Sequence, residues 1–131
     1  MNTKNLFTFA GVTYAWYAIV LLVLPDGVFE ALYGSTAALD SIAADFLGGS
    51  LLGLAVMCLM VRSQPMGTAT SAILIGITVD NLHALYVHVS TLIGAEVIMA
   101  ADWVDLSVSL VVGVGGAYLF MQSRKDTSTE T

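Results

Sequence analysis

The amino-acid sequence predicts an all-α integral membrane protein: one four-helix bundle with up-down topology and both termini in the cytoplasm. Apolar residues make up 57% of the 131 residues and charged residues only 11%, whereas soluble domains average about 45–50% and about 25%. Four apolar segments are each long enough to cross a bilayer, which takes about 20 helical residues. The few basic residues lie at the ends of these segments.

The first predicted helix covers about residues 6–24 and contains no charged residue. Pro25-Asp26-Gly27 ends it, because proline cannot continue the helical hydrogen-bond ladder. A signal peptide is the alternative, but its apolar core would exceed the usual length of about 7–15 residues. A retained helix is therefore favoured. In the long connection that follows, residues 28–34 predict a short interfacial helix closed by Gly34.

Three more membrane helices follow. The second covers about residues 42–61, the third about residues 72–94 and the fourth about residues 103–121. Short connections make neighbouring helices of a bundle antiparallel. The polar tail, about residues 123–131, is rich in Ser and Thr and is predicted to be disordered.

The basic residues predict the orientation. All four (Lys4, Arg62, Arg124 and Lys125) fall on one side of the predicted bundle. An excess of Lys and Arg marks the cytoplasmic side, so we expect a multi-pass protein of the cytoplasmic (inner) membrane with both termini inside. The net charge of -6 argues against nucleic acid as a partner, because phosphate binding needs a basic surface.

The third predicted helix carries a polar group in its middle. Asp80, Asn81 and His83 lie there, and His88 lies nearer the outer end. Asp80 and His83 are three residues apart and share a face, while Asn81 and His88 share a neighbouring face. Two interpretations stay open: polar side chains that hold the helices together, or a ligand- or proton-binding site. In the second, Asp80 is protonated or shares a proton with His83.

Two further acids lie near the outer ends of helices. Asp45 lies near the outer end of the second helix and Asp105 near that of the fourth. They are either solvated by headgroups and water, or they form an outward-facing cleft with His88 that admits a cation or proton. No metal or other cofactor is predicted. His83 and His88 point about 140° apart on a helix, and the single cysteine cannot form a Cys-based zinc site.

Small residues recur at helical spacing in two of the predicted helices. Gly49-x-x-x-Gly53 lies in the second, and Ser109-x-x-x-Gly113-x-x-x-Ala117 lies in the fourth. Such spacing lets helix backbones approach closely, so we expect these residues to pack helices within one chain or between chains. No phosphate-binding loop, nucleophile elbow or metalloprotease motif occurs.

Several short motifs together resemble a known group of proteins. They are Pro25, Leu32-Tyr33-Gly34, Leu47-Gly48-Gly49, Leu52-Gly53-Leu54-Ala55, Arg62, Trp103 and Ala117-Tyr118-Leu119-Phe120. In this respect the chain is similar to the DoxX-like and related families of uncharacterised small four-helix bacterial membrane proteins. Those families are expected to have a basic residue before the helix-two glycines, where this chain has Asp45. The resemblance implies a fold and no activity.

Three hypotheses about function remain. The first is a non-enzymatic membrane component, a homo-oligomer or an accessory subunit of a larger complex, and the absence of a catalytic motif favours it. The second is a membrane protein that binds a small molecule or a proton at Asp80, Asn81 and His83. The third, a lipid- or quinone-linked enzyme, rests only on the same polar group. The lipid bilayer is the partner common to all three.

Overall fold

The structure is a computed structural model that describes residues 2–23, 41–94 and 100–128. Helices account for 93% of these residues, and no strand occurs among them. The short helix predicted at residues 28–34 lies outside the described residues, as do residues 129–131 of the predicted tail.

Four long helices make up the described chain, which confirms the predicted all-α class. They are α1 (Thr3–Val23), α2 (Ser41–Val61), α3 (Thr68–Gly94) and α4 (Ala100–Ser128). Each is long and apolar enough to cross a membrane. All four also carry large apolar side chains on their outer surfaces, for example Trp16, Phe46 and Trp103. Helices that are apolar on all sides are typical of membrane spans, so the four helices indicate a multi-pass membrane protein.

Three helices, α1, α3 and α4, begin three or four residues before their predicted starts because their first turns contain polar residues. In α1, the Asn5 backbone N–H donates to Asn2 Oδ1 at 2.8 Å, so Asn2 caps the helix. Before α3, the Thr70 hydroxyl donates to the backbone carbonyl of Pro65 at 3.0 Å. A prediction from apolar character excludes such polar turns, although hydrogen bonds between side chains and backbone stabilise them at these two helix starts.

The end of α4 covers residues 123–128, the described part of the tail that the sequence predicts to be disordered. The helix continues to Ser128, and no Gly or Pro follows Gly116 to interrupt it. The Arg124 guanidinium lies 5.3 Å from the centre of the Phe120 ring, a cation–π contact. Lys125 lies in the last turn, where a positive charge is favourable for the helix dipole. These interactions explain why a polar segment stays helical.

The helices associate as two pairs. α1 packs chiefly against α2 (the first helix pair), and α3 packs chiefly against α4 (the second helix pair). A glycine allows the close approach within each pair. A Cβ atom at Gly11 would lie 2.8 Å from the Leu59 side chain, and one at Gly113 would lie 3.1 Å from the Leu82 side chain.

A single apolar core joins the two pairs. Its buried members come from all four helices and are Leu6, Phe7, Ala10, Tyr14, Ala55, Cys58, Leu74, Ile77, Val112 and Leu119. Tyr14 is the only phenol among them, so its hydroxyl needs a hydrogen-bond partner inside the bundle. That requirement leads to the polar site described next.

Candidate functional site

A chain of hydrogen bonds centred on Tyr14 joins α1 to α3. Asn81 Nδ2 donates to Tyr14 Oη at 2.5 Å and to the Ile77 carbonyl at 2.8 Å. The Tyr14 hydroxyl in turn donates to Asp80 Oδ2 at 3.2 Å. Asn81 therefore uses both amide hydrogens, and the phenol acts as acceptor and donor at once. Tyr14 and Asn81 are only 5% and 4% exposed, so the two bonds of Asn81 are buried, whereas the bond to the exposed Asp80 is partly buried.

A second phenol–carboxylate bond joins α1 to α4. The Tyr17 hydroxyl donates to Asp105 Oδ1. Tyr14 and Tyr17 are three residues apart, so they lie on one face of α1. This face of α1 thus donates hydrogen bonds to two carboxylates of the second helix pair, Asp80 on α3 and Asp105 on α4. His88 lies close enough to Asp105 for the imidazole and the carboxylate to interact electrostatically.

These groups line a partly open cavity of about 310 Å³ between the two helix pairs, which we call the central cleft. Its volume is at the lower end of the range for small-molecule sites, about 300–1,000 Å³. The lining is Tyr14, Tyr17, Val20, Leu21, Leu47, Leu51, Asp80, Asn81, Ala84, His88, Asp105, Val108 and Ser109. No Lys or Arg is among these described lining residues. The central cleft therefore combines two carboxylates and one imidazole with largely apolar walls.

The third-helix candidates divide between the cleft and the outer surface. Asp80, Asn81 and His88 line the cleft with Ala84, because they fall on one helical face. His83 points about 115° away from the centre of that face at 3.6 residues per turn, and it is exposed and does not line the cleft. Asp80 accepts a hydrogen bond from Tyr14, and its pairing with His83 stays a prediction.

The candidates for an outer cleft also separate. Asp105 lines the central cleft together with His88, whereas Asp45 is exposed on α2 and does not line it. On α2 the cleft is lined by Leu47 and Leu51, and Asp45 lies about 140° around the helix from them. The structure thus brings two of these three groups together.

The two small-residue stripes have different surroundings. Ser109 is buried and lines the cleft, and Ala117 is half-buried. A Cβ atom at Gly113 would come within 3.1–3.3 Å of atoms of α3. By contrast, nothing lies within 4 Å of the Cβ positions of Gly49 and Gly53. These two glycines therefore pack no helix within the described chain, and their packing between chains stays a prediction.

Tyr14 and Tyr17 are the site residues that the sequence prediction lacked. A detectable signal existed, because two phenols three residues apart in an apolar segment both need hydrogen-bond partners on the same side. Within the described residues, no group of three or more His, Cys, Asp or Glu side chains is placed to hold a metal ion. The groups that line the central cleft offer hydrogen bonding, two carboxylates and one imidazole.

Comparison with protein-family models, curated proteins and solved structures finds no match for this chain. The resemblance to the DoxX-like families stays a prediction from short motifs. The central cleft is then the feature from which a function can be inferred.

Proposed function

We propose that this protein binds a small lipophilic organic cation in the central cleft, within the membrane. One observation carries the proposal: the carboxylates of Asp80 and Asp105, from two different helices, line one cavity in which no described residue is Lys or Arg. Among the described lining residues, His88 is the only one with a basic side chain. Two intramembrane carboxylates that share one imidazole, with no Lys or Arg among the described lining residues, are suited to a positively charged ligand.

The energetics of an apolar environment favour such a ligand. An ionised carboxylate removed from water is costly unless a positive charge or several donors compensate it. The phenols of Tyr14 and Tyr17 each supply one donor. One hydroxyl donor only partly stabilises a negative carboxylate. A cation between Asp80 and Asp105 would neutralise the remaining negative charge. The phenol rings add aromatic faces, to which organic cations are attracted.

The walls of the cleft favour an organic ion over a hydrated inorganic one. Val20, Leu47 and Val108 are among the apolar residues that line it. Apolar side chains have no polar atoms to replace the water molecules that an inorganic ion would lose. A cavity of about 310 Å³ accommodates a compact amine or quaternary ammonium ion that carries hydrocarbon groups. Its apolar part would contact these walls while its charge faces the carboxylates.

The proposal includes a place for the protein in the cell. We infer an up-down bundle in the cytoplasmic membrane of a bacterium, with both termini in the cytoplasm. The four basic residues support this orientation, because Lys and Arg accumulate on the cytoplasmic side. The central cleft would then lie between cytoplasmic helix ends rich in Lys and Arg and outer helix ends rich in acids.

The test is a calorimetric titration of the purified protein in detergent with benzyltrimethylammonium. Asp80→Asn and Asp105→Asn each keep an oxygen that accepts the tyrosine hydrogen bond but remove the charge. We expect each variant to bind about tenfold to a hundredfold more weakly, the range for losing an interaction with a charged group. The matched control is Asp45→Asn, the same change on the exposed surface of α2, which should bind as the unchanged protein does.

Two results would overturn the proposal. In one, Asp80→Asn and Asp105→Asn bind the cation as tightly as the unchanged protein while keeping its melting temperature. In the other, Asp45→Asn weakens binding as much as they do, which would indicate a general effect of net charge. Neopentylbenzene, the uncharged analogue of the probe, should show no difference between the variants.

A second candidate function is a homo-oligomeric or accessory membrane component. The observation that favours it is the open space at Gly49 and Gly53, where nothing lies within 4 Å of the Cβ positions. The two glycines are four residues apart, so they form one small-residue stripe on the outer face of α2. A helix of a second copy, or of a partner subunit, could approach α2 there. This assembly is compatible with ligand binding, because neither glycine lines the central cleft.

A further inference from the structure

A second concave surface lies away from the central cleft, where the first turns of α1 meet the end of α2. It is a shallow groove of about 690 Å³, which we call the basic groove. Its lining is Lys4, Asn5, Thr8, Phe9, Val12, Arg62 and Ser63. It shares no residue with the central cleft, so its chemistry is independent of the proposed function.

The charge of the basic groove is opposite to that of the protein. The chain has four basic residues against ten acidic ones, yet Lys4 and Arg62 come together here without a carboxylate among the described lining residues. The other two basic residues, Arg124 and Lys125, lie near the end of α4 and do not line this groove. The Arg124 guanidinium lies over the Phe120 ring. The basic groove is thus a local positive site on an acidic protein, which favours an anionic ligand.

The groove also has an apolar portion along α1. Asn5, Thr8, Phe9 and Val12 recur at spacings of three and four, so they form one helical face. Phe9 and Val12 are 41% and 59% exposed. At about 1.5 Å per residue, Val12 lies about 12 Å along the helix axis from Lys4. The surface therefore passes from positive charge through hydroxyl and amide groups to hydrocarbon within one helix face.

We propose that the basic groove binds an anionic phospholipid, with its phosphate at Lys4 and Arg62 and the start of an acyl chain along Phe9 and Val12. Arg and Lys are the side chains that bind phosphate oxygens best, and basic pockets at membrane helix ends are suited to lipid headgroups. A soluble anion would use only the charged end of the groove. The apolar portion is what makes a lipid the better occupant.

The experiment uses the full chain in dodecyl maltoside micelles, titrated with palmitoyl-oleoyl-phosphatidylglycerol and followed by native mass spectrometry. Phosphatidylcholine with the same acyl chains is the reference lipid. We expect Lys4→Gln and Arg62→Gln each to weaken phosphatidylglycerol binding about fivefold and the double variant about 25-fold. Phosphatidylcholine binding should not change.

The matched control is the double variant Arg124→Gln with Lys125→Gln, which removes the same charge from the end of α4. It should alter phosphatidylglycerol binding by about twofold or less, because neither residue lines the basic groove and exposed charges that do not contact the ligand are screened by salt. An equal loss in this control would overturn the proposal, since net charge would then explain binding. Equal competition by soluble glycerol phosphate would also overturn it, because the occupant would be an anion and not a lipid.

Discussion

The hydroxyl of Tyr14 has two partners that are adjacent in sequence, Asp80 and Asn81. Consecutive residues of a helix point about 100° apart, so one phenol satisfies both only by lying between them. In hydrocarbon there is no water to replace a lost partner. The position of the Tyr14 hydroxyl oxygen therefore determines whether Asp80 and Asn81 keep a hydrogen-bond partner on α1.

Removing that oxygen should destabilise the bundle. We expect Tyr14→Phe to lower the free energy of unfolding by about 0.6–1.7 kcal/mol, the range measured for hydrogen bonds between membrane helices. The control is Tyr118→Phe, the same change at a side chain that is 57% exposed, which should have no measurable effect. Thermal melting in detergent compares the two. Equal melting temperatures for both variants would contradict the assigned hydrogen bonds.

At the scale of residues, the sequence indicates which polar side chains of α3 and α4 line the central cleft. It does not indicate their hydrogen-bond partners. Asp80, Asn81 and Asp105 are conspicuous because they interrupt apolar segments, and all three line the central cleft. The partners Tyr14 and Tyr17 depend on which helices are neighbours, and helical periodicity within one segment carries no such information. The sequence favours His83, three positions away, as a partner of Asp80, and the structure adds a partner from another helix, Tyr14.

For whole helices too, the sequence shows where each helix lies along the chain but not which helices are neighbours. Apolar length identified all four, and their polar first turns account for the difference in where they begin. The small-residue stripes of α2 and α4 look equivalent in sequence, because spacing alone does not say which face meets a neighbour. Gly113 faces α3, while Gly49 and Gly53 face outward. The two stripes should therefore respond differently to the same substitution.

Leucine substitution separates the two kinds of glycine. Gly113→Leu should lower the melting temperature, since overpacking a close contact costs about 1–3 kcal/mol or more. Gly53→Leu should leave the melting temperature of the single chain unchanged but reduce the size of the assembly, measured by light scattering after gel filtration. An unchanged assembly size in Gly53→Leu would refute oligomerisation through α2. An unaffected melting temperature in Gly113→Leu would refute the close packing of α3 against α4.

The molecule as a whole consists of two helix pairs joined by an exposed turn. Residues 62–67 form this connection, where the Gln64 backbone N–H donates to the Val61 carbonyl at 2.9 Å. Most helix contacts lie within the pairs, and the apolar core together with the bonds of Tyr14 and Tyr17 joins one pair to the other. Each pair should therefore form without the covalent connection.

Co-expression of two fragments tests this division. Fragments 1–66 and 67–131, cut in the exposed turn, should insert separately and co-purify through a tag on one of them. The double variant Tyr14→Phe with Tyr17→Phe should reduce co-purification much more than it reduces the yield of the intact chain. The reason is that the turn keeps the two pairs at high effective concentration. Failure of the unchanged fragments to associate would contradict the two-pair architecture.

The order of the helices along the chain also has a consequence for biosynthesis. The ribosome makes α1, with the phenols of Tyr14 and Tyr17, before it makes Asp80 and Asp105. A helix with an acid at its centre enters a bilayer at a cost of about 2.5–3.5 kcal/mol when it enters alone. If the helices insert in chain order, the donors of α1 reside in the membrane before the acidic helices leave the translocon. The first helix pair can thus act as a template that lowers the cost of inserting the second.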